Sequence, residues 1–479
     1  VVEEAKEKGR INFFRPDGGG DAGYSIGSNS TPKQKTDVTL TGTVKYKKHL
    51  IDKDTGLDTT TVDMPLRFVK LYFWCYWSGT GGHFVGPTPT DNNGQFTYTV
   101  GGVVLPDARF MPVVFLRGPS VPPGPSGFNR VKAITDTIKL TWIPSPEDSQ
   151  TWRFRWKVDT VDVSYYDFGT KYCAEHFFDG GLWPDNHQPR SGAANIYDQL
   201  LKGYDYLVDN NYTLPDTIYK VVARWQPGCT LKTYFKGDTI LTNPDSIFIS
   251  GDTTGQIRPY YTDEWDDLFL LHEYGHHAMH RCAAVPPAMG THYWFKSYPA
   301  DTGIGYGEGW PTMFAGVATG NNYIIDTRGM IGDPNDTTAY FNIENPWDFR
   351  VIPPFPSPAD SFEGGPYCEG AVCGALWDIY DATDEIPYPS YPDSLNGVWF
   401  PDTALADSLT MDFDEIWNIS DNYKYLGHYC WTIHDFLKGW GEYHYDHQFG
   451  LNQIVLHHRI LWDVPAAPVG LQANYDPGI

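Results

Sequence analysis

The densest chemistry in the sequence is LLHEYGHHAMH, residues 270–280, which gathers four of the chain's 15 histidines and a glutamate. In a helix, residues four apart share a face with Cβ atoms about 6 Å apart, so His272 and His276 converge on one point. Glu273 stands beside that point. Two imidazoles can hold a divalent metal there, and the carboxylate can take a proton from a water at the same place. H-E-x-x-H is therefore a pattern for metal-assisted hydrolysis. Without a metal, the same apolar run would bury several imidazoles, each needing a partner of its own.

A hydrolytic zinc takes three protein ligands and keeps a fourth position open. Met279 and Cys282 occupy the places where a metzincin has Gly and His. In GTHY, Tyr293 stands where an Asp-ligand type has its Asp. His280 lies about 12 Å along the helix from His272, too far to close one tetrahedron. GYGEGWPTMFAG (305–316) offers Glu308, just before a second helix. H-E-x-x-H followed by this Glu-Gly-Trp resembles the gluzincin metallopeptidases. The resemblance implies one catalytic zinc (Zn2+) held by His272, His276 and Glu308, with Glu273 as general base. Histidines 277 and 280 then fall outside the coordination sphere. Proline is tolerated in a first helical turn, so Pro311 predicts that Glu308 sits at the extreme N-terminus of its helix. Thr312 occupies the position where the family has a carboxylate four residues after the ligand.

GPYCEGAVCGALWDIYD (365–381) opens with Pro-Tyr-x-x-Gly and is similar to that segment of the zinc aminopeptidases related to leukotriene A4 hydrolase. That likeness implies that Tyr367 stabilises the tetrahedral intermediate; the plainer reading is a core tyrosine at a helix start. His428 and His434 are the fallback donors, and Asp378 is a candidate to orient a ligand histidine. The Gly-x-Met-Glu-Asn strand that anchors a free amine in those aminopeptidases has no counterpart upstream of His272. SIFIS (246–250) reads instead as an edge strand offering main-chain hydrogen bonds to an extended substrate. That arrangement suits an endopeptidase.

The elements that must position these residues form a multidomain chain, too long at 479 residues for one core. Residues 1–35 read as an N-terminal extension, and the chain opens with no signal-peptide pattern, as a processed protein would. From 36 to 118, short alternating strands predict an all-β sandwich. Its TGTVKY and TDNNGQFTYTV resemble the carboxypeptidase-regulatory or transthyretin-like β-sandwich. Residues 119–170 read as a Pro/Gly linker and a β segment. The stretch 171–463 carries the α+β catalytic domain, of the thermolysin/aminopeptidase-like type that the gluzincin resemblance implies. The tail 464–479 looks like a linker into a fibronectin type III-like module. DKDTGLD (52–58) spaces acidic side chains as some calcium (Ca2+) loops do. No glutamate follows to close such a loop, and the plainer reading is a solvated hairpin tip.

A net charge of −24, from Lys+Arg 35 against Asp+Glu 59, argues against nucleic acid or anionic membranes as partners. No apolar run is long enough to span a bilayer. Seven cysteines form no CxxC pair, and the odd number leaves at least one unpaired within the chain. Four N-x-S/T sequons, at Asn29, Asn211, Asn335 and Asn418, point to an extracellular protein, secreted or at the cell surface. The expected function is an exported zinc peptidase acting on polypeptide or glycoprotein substrates. The alternative is a cell-surface structural or assembly protein, attached through further modules, that carries a metallopeptidase-like domain. Because every catalytic candidate lies beyond Thr170, the sequence predicts that residues 1–118 are dispensable for hydrolysis.

Overall fold

A computed structural model of the protein describes residues 35–118, 138–141, 153–173, 191–251, 263–283, 301–351, 364–381, 409–422, 430–444 and 447–460, with short breaks at 78–80, 157, 211, 213–220, 226–231, 239–243, 330–331, 334 and 346–347. The extension 1–34, most of the Pro/Gly linker, the tail 464–479, Tyr293 and His428 lie outside the described residues.

Strands β1 (Lys35–Asp52), β2 (Gly56–Pro65), β3 (Lys70–Tyr76), β4 (His83–Pro89), β5 (Gln95–Val104) and β6 (Ala108–Phe115) build most of a two-sheet sandwich. Alternation sends Val38, Leu40, Val44 and Tyr46 of β1 inward, and Leu71, Phe73 and Cys75 of β3 toward them. Phe73 bridges the layers, with ring centroids 5.7 Å from Phe96 and 5.8 Å from Phe168. The turn into β5 is closed by Asp91, whose Oδ1 accepts from the N–H groups of Asn93 and Gln95, each at 2.8 Å. Gly94 follows with φ +73°, where a β-carbon would strike the Val44 carbonyl.

The sandwich continues past residue 118. Strands β9 (Arg153–Arg155) and β10 (Asp159–Val161) pair with β6, and β11 (Tyr165–Tyr172) pairs in parallel with β1. The remaining short strands, β7 (Arg117–Gly118) and β8 (Ile138–Thr141), enter a different sheet, ordered β13-β14-β12-β8-β7 with β12 (Val221–Arg224), β13 (Tyr234–Lys236) and β14 (Asp245–Phe248). Segment 119–170 is thus divided among three sheets, the two of the sandwich and a third, because pairing partners are set by tertiary placement and not by sequence neighbourhood. In the third sheet β8, β12 and β14 are parallel, and β12 is buried with Val221, Val222 and Ala223, as a strand covered on both faces must be. SIFIS is not an edge here: β14 is hydrogen-bonded to β12 on one side and β13 on the other. Among the described residues the edge on that side is β13.

The helices are α1 (Ser191–Asp209), α2 (Asp267–Ala278), α3 (Thr302–Thr319), α4 (Glu369–Tyr380), α5 (Phe413–Asn422), α6 (Ile433–Tyr443) and α7 (Gln448–His457). A π-helical turn, Met279–Ala283, extends α2, and a meander of β15 (Tyr323–Thr327), β16 (Thr337–Asn342) and β17 (Phe349–Val351) follows α3. No described helix is long and apolar enough to cross a membrane.

Sandwich and helical part share one continuous apolar core. Tyr46 donates to Asp198 at 2.9 Å, and Arg67 reaches Asp198 and Asp205 on α1 at 2.9 and 2.8 Å. Lys48 pairs with Asp267, the first residue of α2. The β1–β2 tip docks on the meander, with Leu57 N–H donating to Asp336 at 3.0 Å and Gly332 N–H to the Leu57 carbonyl at 2.9 Å. Asp52 accepts from Asp54 and Thr55 N–H within that tip, and Asp58 accepts from Thr60 N–H. These acids close their own turns, and the metal-competent groupings among the described residues lie elsewhere. The tip is a docked hairpin in place of a wholly solvated one.

Candidate metal centre

Helix α2 is held at both ends. Its N-cap, Asp266, turns its carboxylate to Thr327, accepting from the N–H at 2.9 Å and the hydroxyl at 2.8 Å. At the other end Asp245 of β14, fully buried, accepts from His277 at 2.7 Å, from Arg281 Nε at 2.8 Å and again from Arg281 Nη2. Burial alone would raise the Asp245 carboxyl, but hydrogen bonds from His277 and His280, with Arg281 beside them, hold it far below the usual range. The π turn carries Arg281 onto this carboxylate. His277 and His280 are therefore committed to Asp245, and neither joins the metal grouping.

Between those anchors α2 lies against α3 so closely that a β-carbon on Gly275 would fall 2.8 Å from Pro311 Cα. That approach brings Glu308 level with the two histidines. His272 Nε2 stands 3.1 Å from His276 Nε2, and Glu308 Oε2 is 3.2 and 3.0 Å from them. All three side chains are nearly buried. Glu308 is not at the N-terminus of its helix as Pro311 predicted: α3 begins at Thr302, capped by Asp301, and Pro311 lies inside it. The proline removes the N–H that would reach Gly307, and packing against Gly275 makes the helix continue past that loss.

The triangle fits a tetrahedral ion. Ligands about 2.0–2.1 Å from zinc are separated by about 3.3 Å, close to the three edges here. With edges of 3.0–3.2 Å, His272, His276 and Glu308 would together hold such an ion and leave it a position for water. The far side of His272 is also fixed, with Nδ1 2.8 Å from the Thr312 hydroxyl, which donates to Glu369 Oε1 at 3.1 Å. Phe235 of β13 stacks on His276, ring centroids 5.8 Å apart and 17° from parallel. Glu273 is buried beside the triangle.

A second grouping, Asp263, Asp266 and Asp326, lies by the N-terminal end of α2. Burial pushes the Asp263 carboxyl up to about 7; the Thr233 hydrogen bond opposes the rise and the charge of Glu273 adds to it.

One expected role changes. Asp378 does not orient a ligand histidine: it bonds His458 Nε2 at 2.8 Å, both side chains buried. Tyr367 is 40% exposed, on the loop that crosses the start of α3, where a β-carbon on Gly305 would lie 3.2 Å from the Tyr367 carbonyl carbon. His434 is on the first turn of α6. Sequence reasoning missed Asp245, Phe235 and Glu369. Their only local signal was nearness to motifs, Asp245 beside SIFIS and Glu369 inside PYCEG.

No protein-family model matches the chain, and no curated protein matches it. Among solved structures, a 9R-lipoxygenase from Cyanothece PCC8801 is matched over 44% of this chain and 28% of its own length, at 15% identity and TM-score 0.17. A likeness that slight carries no argument about this chain.

Proposed function

We propose that the protein is a zinc-dependent peptidase of gluzincin type, acting outside the cell on polypeptide or glycoprotein substrates. The observation that carries the reading is the His272, His276, Glu308 triangle with Glu273 beside it. Zinc bound there would polarise the scissile carbonyl and bring the pKa of a water toward about 7. Glu273 takes the proton of the attacking water and passes it to the leaving amine. Tyr367, on the loop packed at Gly305 one turn ahead of Glu308, donates a hydrogen bond to the developing oxyanion. Strand β13 aligns an extended substrate through its main chain, and its Phe235 keeps the His276 ring in place. An open-ended edge of this kind supports endopeptidase action. Two ligand helices packed beside a mixed sheet support the α+β, thermolysin/aminopeptidase-like reading of the domain.

Metal analysis joined to cleavage of an unfolded protein tests it. One zinc per chain is expected, and Glu273→Gln should keep the metal while losing nearly all turnover, since an amide cannot accept the proton. A metal-free chain, or a Gln variant with half the wild-type rate, would overturn the reading.

A further inference from the structure

Helix α4 does more than carry the Pro-Tyr segment to the start of α3. Its first turn and the loop before it are pressed onto α3 at two glycines: a β-carbon on Gly305 would lie 2.5 Å from the Pro366 carbonyl, and one on Gly309 would lie 2.9 Å from the Glu369 carbonyl. This contact delivers the Glu369 side chain to Thr312, where the carboxylate accepts the hydroxyl proton at 3.1 Å. Thr312 is fully buried and Glu369 is 1% exposed. Glu369 is the first residue of α4.

A threonine hydroxyl has one proton. Having given it to Glu369, the oxygen can only accept from His272 Nδ1, 2.8 Å away. The imidazole proton is thereby assigned to Nδ1, and the Nε2 lone pair is left facing His276 and Glu308. Carboxylates behind metal-binding histidines fix the ring, choose the tautomer and raise its donor strength. Here the carboxylate comes from a different helix and acts through a hydroxyl.

We propose that Thr312 and Glu369 form a positioning relay that sets the metal affinity of His272. The relay rests on the zinc reading above. Its test is the zinc dissociation constant of the folded protein, measured by competition with a chelator, with circular dichroism as the check on folding. Thr312→Val should weaken zinc binding by about tenfold to a hundredfold, while Thr312→Ser, which keeps the hydroxyl, should bind within about threefold of wild type. Glu369→Gln should weaken binding by about tenfold alone and add almost nothing in the Thr312→Val background, because the relay is already cut. A purely structural role would shift stability in these variants and leave the dissociation constant where it was.

Zinc binding by Thr312→Val within about twofold of wild type overturns the relay, as does an undiminished effect of Glu369→Gln in that background. Should the Val variant not fold, Glu369→Gln, which changes little volume, tests the relay in its place: affinity within about twofold of wild type overturns it. Wild-type protein that takes up no zinc overturns the peptidase reading itself, a different result from a zinc-binding wild type whose variants are unaffected.

Discussion

Tyr367 sits where the loop from Gly364 to Cys368 crosses the start of α3, and its chemistry rests on one hydroxyl. Removing one donor to a developing oxyanion costs about 3–4 kcal/mol, a hundredfold to a thousandfold in rate. Tyr367→Phe is expected to lower kcat by that order with KM and zinc content nearly unchanged, because the hydrogen bond forms mainly in the transition state. A rate within about threefold of wild type would make Tyr367 a packing residue and turn attention to His434. Glu264 gives a separate test, of stability. Burial, with the charge of Asp263 adding to it, raises its carboxyl from 4.5 to about 8. The folded state then holds a proton that the unfolded chain has released. Stability from this group is fully present below about pH 4.5 and is lost as pH climbs toward 8. Each unit is worth about 1.4 kcal/mol, so denaturation midpoints should fall between pH 5 and pH 8. Glu264→Gln should flatten that profile, and an unchanged slope would place the titration elsewhere.

At the scale of elements, the centre depends on how closely α2 meets α3. Alanine is a better helix former than glycine by about 1 kcal/mol. At Gly275, however, the added carbon would meet Pro311 Cα at 2.8 Å and Pro311 O at 3.1 Å, both backbone. Overpacking of this kind costs about 1–3 kcal/mol. Gly275→Ala should therefore destabilise the protein despite the propensity gain, and should weaken zinc binding by moving Glu308 away from the histidines. Chemical denaturation and chelator competition measure the two effects. A variant more stable than wild type would mean that the helices are not in contact there.

At the scale of the whole molecule, the sandwich is part of the framework that holds the candidate metal centre in place. Lys48 and Tyr46 leave β1 to bind α2 and α1, β7 leads from the sandwich into the sheet beside α2, and one apolar core runs through both parts. Removing residues 1–118 would uncover that core and leave Asp267 without Lys48. We expect the remainder, residues 119–479, to be insoluble or unfolded, as read by solubility and far-ultraviolet circular dichroism. A soluble remainder that cleaves peptides would show that the sandwich is a separable spacer after all. This reverses the expectation drawn from the position of the catalytic candidates along the chain.

What the sequence by itself determined is local. A spacing of four residues on a helix puts His272 and His276 on one face wherever that helix lies, and the turn chemistry of Asp91 and Gly94 likewise needs only its own neighbours. Glu308 was legible because its motif follows at a short distance, yet its place inside α3 was not. Pro311 disfavours continuation of an isolated helix, and tertiary packing, the contact with Gly275 included, overrides that rule. Other features were invisible for the same reason. The exchange of SIFIS for β13 as the edge, the recruitment of β9 to β11 into the sandwich, and the meeting of Thr312 with Glu369 all join residues distant along the chain. No local periodicity encodes such pairings, which are chosen by which surfaces bury one another, and so the tertiary structure alone decided them.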